Sequence, residues 1–125
     1  MKALFLTREF PPNVYGGAGV HVEYLAKELS ELMEIDVRAF GDQNVKGSNL
    51  NVTGYPFEDG LFENSDDKLK SVFKTLSTGL HMNADKIDAD VVHCHTWYSH
   101  FAGIMAKLCY GTPLVVTTHS LEPLR

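Results

Sequence analysis

The stretch Lys2-Ala3-Leu4-Phe5-Leu6-Thr7, followed by Arg8-Glu9-Phe10-Pro11-Pro12 and then Tyr15-Gly16-Gly17-Ala18-Gly19-Val20-His21, decides the fold. The run from Lys2 to Thr7 is nearly continuously apolar, as in a parallel strand buried on both faces. A loop rich in proline and glycine follows. Then Val22, Leu25, Ala26, Leu29, Leu32 and Met33 recur at helical spacing, with Glu23, Lys27, Glu28 and Glu31 on the other side. Strand, glycine loop and helix together open a βαβ unit.

Outward from this unit the pattern repeats. Ile35–Phe40 reads as a second strand closed by Gly41-Asp42, and Asn51–Gly54 as a short third one. Residues 55–66 form a loop, and Leu69, Val72, Phe73, Leu76 and Leu80 mark a second helix. Asp90–His93 is a fourth strand. Phe101, Ile104, Met105, Leu108 and Cys109 give a third helix stopped by Gly111 and Pro113, and Leu114–Thr118 is a fifth strand. Alternating strands and helices specify an α/β, Rossmann-like parallel sheet with helices on both faces. With strand order 3-2-1-4-5, the chain winds away in opposite directions from the first and fourth strands, and ligands bind at such a switch point. Thr7–Gly19, His93–Tyr98 and His119-Ser120 should therefore converge.

Composition is that of one globular domain over residues 1–125, with 44% hydrophobic and 22% charged residues. A net charge of −5 without a basic block argues against nucleic acid as a partner. Two cysteines are too few for a disulfide framework; Cys109 is expected to be a small buried hydrophobe, and free thiols fit the cytoplasm. The apolar run after Met1 is too short for a signal peptide or a membrane span.

Three constellations carry possible chemistry. Glycines at 16, 17 and 19 allow positive φ or close backbone approach at a helix start, where N–H groups attract phosphate; a flexible turn is the alternative. In His93-Cys94-His95-Thr96-Trp97-Tyr98, two histidines share one strand face while Cys94 points to the other, which disfavours a metal site. This segment reads better as a polar and aromatic strand-end loop, with Trp97 and Tyr98 facing a sugar, His95 a candidate contact and His93 a satisfied core residue. His119, in Thr117-Thr118-His119-Ser120, can stabilise developing charge at a strand's carboxyl end. Glu9 either binds sugar hydroxyls or sits in solvent. His21 is expected to pack at the helix cap, and the acids at 58, 63, 66 and 67 to form a solvated face and a helix N-terminus.

These motifs resemble prokaryotic glycogen synthases and related retaining glycosyltransferases of the GT-B fold: Lys2–Pro12 with Tyr15–His21, Asp90–Tyr98, and Thr117–Arg125. The resemblance implies two Rossmann-like domains around a cleft. This chain would be an incomplete N-terminal, acceptor-side domain, inactive alone and lacking the donor-binding C-terminal domain. It implies transfer of glucose from ADP- or UDP-glucose to an α-1,4-glucan with retention, and no metal or other cofactor. It implies that Gly16, Gly17 and Gly19 approach the donor diphosphate and that His119 acts beside the reacting sugar. Glu9, Tyr15, His95, Trp97, Tyr98 and Ser120 complete the expected substrate contacts. Where the glycogen synthases carry Lys and His, this chain has Tyr15 and Tyr98, which is similar to a broader branch including enzymes that make maltose 1-phosphate. Other readings are a lipid or small-molecule acceptor, or a stand-alone binding module.

Overall fold

A computed structural model describes residues 1–120. The elements run β1 (Lys2–Thr7), α1 (Gly17–Leu29), β2 (Glu34–Phe40), β3 (Asn44–Lys46), β4 (Leu50–Tyr55), α2 (Lys70–Ala84), β5 (Val91–His95), α3 (Trp97–Tyr110) and β6 (Leu114–Thr117). They build a six-stranded sheet in the order β3-β4-β2-β1-β5-β6, parallel except where β3 runs antiparallel to β4. Without β3 this is the expected order. The edge strand β3 escaped sequence reading because its residues, Asn44, Val45 and Lys46, are all exposed and carry no apolar alternation.

Alternation along β1 sends its side chains into two cores. Ala3 and Phe5 join Val22 and Ala26 of α1 and Ile35, Val37 and Ala39 of β2 on one face. Leu4 and Leu6 join Met82 of α2, Ala102 and Ala106 of α3, and Val92 and Cys94 of β5 on the other. Helices thus cover both faces, and β1, central in the sheet, is buried from Ala3 to Thr7. From β2, the Arg38 guanidinium donates to the carbonyls of Met82, Asp85 (2.9 Å) and Lys86 (2.8 Å), tying the C-terminal end of α2 to the sheet.

The helices differ from their sequence reading in which faces they bury. α1 starts at Gly17 and ends at Leu29, so Leu32 (83% exposed) and Met33 belong to the following turn. α2 buries Thr75, Thr78, Gly79, Met82 and Asn83, whereas Leu69 and Leu80 are exposed. α3 buries Ser99, Ala102, Gly103 and Ala106 and exposes Ile104, Leu108 and Cys109. The expectation of a buried Cys109 is therefore corrected: its side of the helix faces away from the sheet. Small residues are inside because α2 and α3 pack closely on each other and on the sheet. A Cβ on Gly79 would lie 3.2 Å from the Ala102 Cβ, and one on Gly103 only 2.7 Å from Cys94 Sγ and 2.9 Å from Leu114 Cδ1. Gly103→Val should consequently push α3 off the sheet and destabilise the fold by about 2 kcal/mol. A urea midpoint unchanged from wild type would contradict this packing. Among the described residues, no helix is long and apolar enough to cross a membrane.

Candidate functional site

The carboxyl ends of β1 and β5, adjacent in the sheet, meet the start of α1 and the turn after β6. Glu9, two residues past β1, turns its carboxylate back onto the glycine loop. Its Oε1 accepts hydrogen bonds from the backbone N–H groups of Tyr15 and Gly16, the latter at 3.0 Å. It therefore neither sits free in solvent nor presents this oxygen to a ligand; it supplies an anion in front of a helix N-terminus. Gly19 makes room for it, since a Cβ there would stand 2.9 Å from the Glu9 Cβ and 3.0 Å from Val14 Cγ1. Gly16 and Gly17 differ: a Cβ on either would meet nothing within 4 Å among the described residues. None of the three has positive φ, so left-handed backbone does not call for glycine here, and close packing calls for it at Gly19 alone.

Histidines crowd the same edge. The His93 and His95 rings lie 3.9 Å apart, centroid to centroid, and both pack against Phe5 at 5.3 Å. His95 Nδ1 and His119 Nε2 share a hydrogen bond of 3.2 Å, and the His21 ring stands 5.3 Å from that of His119. His93 Nε2 pairs with Thr117 Oγ1 at 2.7 Å, and His100 Nε2–H donates to the Thr117 carbonyl at 3.3 Å. His21, expected to pack at the helix cap, thus joins this cluster; one helical turn past the glycines brings it to the sheet edge. Among the described residues, no three His, Cys, Asp or Glu side chains form a metal-binding group.

Burial lowers the pKa of His95 to about 3, with the neighbouring His93 and His119 adding to the effect. Burial, followed by His21, likewise lowers His93 and His119. The neutral rings restrict the tautomers. His95 Nε2 is buried with no hydrogen-bond partner among the described residues, so the proton of His95 is assigned to Nδ1, which donates to His119 Nε2. His119 then carries its own proton on Nδ1. The ring pair fixes a neutral donor at the edge of the sheet.

The same depressed pKa values set the acid response. Above about pH 6.5 both folded and unfolded chains hold these histidines neutral; below it the unfolded chain takes up protons first. Stability is therefore full above the unfolded pKa and erodes as pH falls, by up to about 1.4 kcal/mol per unit for the fully buried His95. For His95 this continues until pH approaches its folded value of about 3. Between about pH 7 and 5, His95 alone should remove about 2 kcal/mol, and His95→Gln should flatten the slope. Urea titrations at the two pH values, with equal midpoints for wild type, would refute the assignment.

Thr96, which links β5 to α3, adopts φ 65° and ψ 161°, a conformation costly for a β-branched residue, and its Oγ1 is buried with no hydrogen-bond partner among the described residues. Trp97 and Tyr98, read from sequence as a loop, are the first turn of α3; their rings stack at 4.2 Å. Tyr98 lies under the Arg8 guanidinium, 4.3 Å from its ring centroid. Together with α2 they line a cleft of about 400 Å³. A second cavity, of about 260 Å³, is lined by Tyr15 with Phe40, Tyr55 and Phe57, and it also touches Arg8.

The expected site residues therefore separate into groups. Glu9, Gly16, Gly17, Gly19 and His119 share one corner. Tyr15 lines the aromatic cavity, Tyr98 lines the cleft, and Trp97 stacks on Tyr98. His95, expected as a substrate contact, is 0% exposed, and its Nδ1 is engaged by His119. Ser120 is exposed next to His119 in sequence, and the end of the third motif, residues 121–125, lies outside the described residues. Arg8, Lys70 and Lys74 were not singled out in the sequence, being far apart along it; only the fold places them together.

Comparison with known proteins bears on the family and the fold. Residues 15–125 match the model of the family described as Glycosyltransferase Family 4. The chain is 41% identical over 136 residues to an alpha-maltose-1-phosphate synthase of Mycolicibacterium smegmatis, covering 100% of this chain and 30% of that protein. It is also 41% identical over 128 residues to the protein of the same name from Mycobacterium tuberculosis, again covering 100% of this chain and 30% of the relative. The chain thus spans under a third of the length of these curated relatives. The fold is similar to that of a sucrose-phosphate synthase from Thermosynechococcus elongatus, with a TM-score of 0.65 at 15% identity, over 99% of this chain and 34% of the other. That likeness bears on the fold, the N-terminal domain of a GT-B glycosyltransferase.

Proposed function

The chain belongs to Glycosyltransferase Family 4, and from that premise we propose that the full-length protein is a retaining hexosyltransferase forming maltose 1-phosphate from ADP- or UDP-glucose and a phosphorylated glucose. The observation carrying this reading is the 41% identity across the whole chain to alpha-maltose-1-phosphate synthases. It favours a phosphorylated acceptor over the α-1,4-glucan of glycogen synthases, and Tyr15 and Tyr98 lean the same way. In this reading the present residues belong to an acceptor-side N-terminal domain, and a second domain holds most of the donor.

The reaction joins an acceptor hydroxyl oxygen to the donor's anomeric carbon as the bond from that carbon to the diphosphate oxygen breaks. The nucleoside diphosphate leaves with the bonding electrons and takes the hydroxyl proton. At the start of α1 the N–H groups of Gly17, Ala18 and Gly19 have no intrahelical acceptors, which suits them to the diphosphate. The open space before Gly16 and Gly17 admits it, and the Glu9 carboxylate, bound to the preceding amides of Tyr15 and Gly16, holds the loop in shape without occupying the amides of Gly17–Gly19. His119 offers its Nδ1–H to the transferred sugar, with Ser120 beside it. His95 holds the ring and is a positioning residue.

The test is product analysis with the full-length protein. ADP- or UDP-glucose with glucose 1-phosphate should yield an α-configured disaccharide phosphate. Glucan extension without that product would restore the glycogen-synthase reading, and no release of nucleoside diphosphate with either acceptor would remove both.

A further inference from the structure

The cleft between Arg8, Lys70, Lys74 and Tyr98 has no part in donor binding as described above. It opens at the carboxyl end of β1, on the face of the sheet covered by α2 and α3. Lys70, Ser71, Lys74 and Thr75 stand one turn apart in pairs along α2, so a single helix face lines it. Arg8 closes the opposite wall, its guanidinium carbon 4.3 Å from the Tyr98 ring centroid.

The charge here opposes that of the chain. Three cations, Arg8, Lys70 and Lys74, meet one carboxylate, Asp67, in a protein of net charge −5. Asp67 pairs with Lys70 at 3.0 Å, but its side chain is 93% exposed, so the pair is weak and leaves the cleft with a surplus of positive charge. Hydroxyls from Ser71 and Tyr98 add donors. Cationic and hydroxyl donors around one cavity are the recognition chemistry of a phosphate monoester. The neighbouring cavity, sharing Arg8 and Phe57 with the cleft, is walled by Tyr15, Phe40 and Tyr55, surfaces suited to a sugar ring.

We propose that this cleft seats the phosphate of the acceptor, a phosphorylated monosaccharide, with Arg8, Lys70 and Lys74 as its direct contacts and the sugar ring lying toward the aromatic cavity. The inference deepens the proposed function and rests on it for the identity of the acceptor. Arg8 is one residue from Glu9, which caps the glycine loop, so an acceptor held here lies beside the donor corner.

The experiment measures binding of inorganic phosphate and of glucose 1-phosphate to the full-length protein by calorimetry, alongside turnover. Removing two charge-assisted contacts in Lys70→Gln/Lys74→Gln should weaken both ligands at least about tenfold, with KM for the nucleotide-sugar unchanged. Lys107→Gln, on α3 outside the cleft, should bind as wild type. Lys70→Arg/Lys74→Arg should restore binding to within about threefold, and Asp67→Asn should tighten it by about twofold. Should the glutamine variant fail to fold, the arginine and Asp67→Asn variants decide the matter. Equal binding by wild type and glutamine variant overturns the inference, whatever the turnover. Lysine-dependent binding of phosphate without disaccharide phosphate formation keeps the cleft as a phosphate site and removes the acceptor reading.

Discussion

Replacing His119 with alanine in the full-length protein should lower kcat by about 100- to 1,000-fold while leaving KM for the nucleotide-sugar within about threefold. The magnitude is that of deleting one preorganised donor from a site where charge develops. His119 fits that description on three grounds. Its Nε2 is tied to His95 at 3.2 Å, so the ring does not reorganise when a ligand arrives. Its pKa is lowered by burial and by His21, which keeps it a neutral donor. Its backbone sits at φ 61°, a left-handed conformation that histidine tolerates and that fold contacts must hold in place. Steady-state kinetics of wild type and His119→Ala decide the point. A variant within about tenfold of wild-type kcat would mean that the imidazole does not face the reacting sugar.

Gly19→Val should lower kcat/KM by about 100-fold and destabilise the fold by about 2 kcal/mol. The new Cβ would stand 2.9 Å from Glu9 Cβ and 3.3 Å from its Oε1, and the extra methyls enter the same space. Glu9 must then leave the N–H groups of Tyr15 and Gly16, and the loop opening α1 loses its internal anion. A shift of about 1 Å in the amides meant for the diphosphate suffices for the kinetic loss. Gly17→Ala is the matched control: its methyl meets nothing within 4 Å among the described residues, and the fold should be unaffected. If Gly19→Val kept both its thermal midpoint and its kcat/KM, Glu9 would have no role in holding the loop.

The parts of this protein legible in sequence are those where one residue type speaks for one environment. The strands from Lys2 and Ile35 declared themselves because the middle of a parallel sheet demands apolar side chains, and the strand from Leu114 showed through its β-branched run although it is an edge strand with Val115 and Val116 exposed; the strand order matched the common doubly wound arrangement. The helix faces misled for the opposite reason. Apolar spacing tracks large side chains, but α2 and α3 approach each other and the sheet so closely that Gly79, Ala102, Gly103 and Ala106 are buried, leaving Leu80, Ile104 and Leu108 outside. Within the site, the convergence of the glycine loop with His119 followed from the switch point. The engagement of Glu9 by two amides did not, because it depends on a loop conformation that no periodicity encodes. Nor did the meeting of Arg8 with Lys70 and Lys74, which the β4-to-β5 crossover through α2 brings about.

The central claim is that one edge of this sheet presents helix-start amides and a neutral imidazole to a sugar phosphate. A crystal structure of the full-length protein with a nucleoside diphosphate-hexose bound tests it most directly. The expected result has the diphosphate within about 3 Å of the amides at Gly17–Gly19 and the hexose in hydrogen-bond contact with His119. A donor seated with neither of these groups in contact would contradict the account.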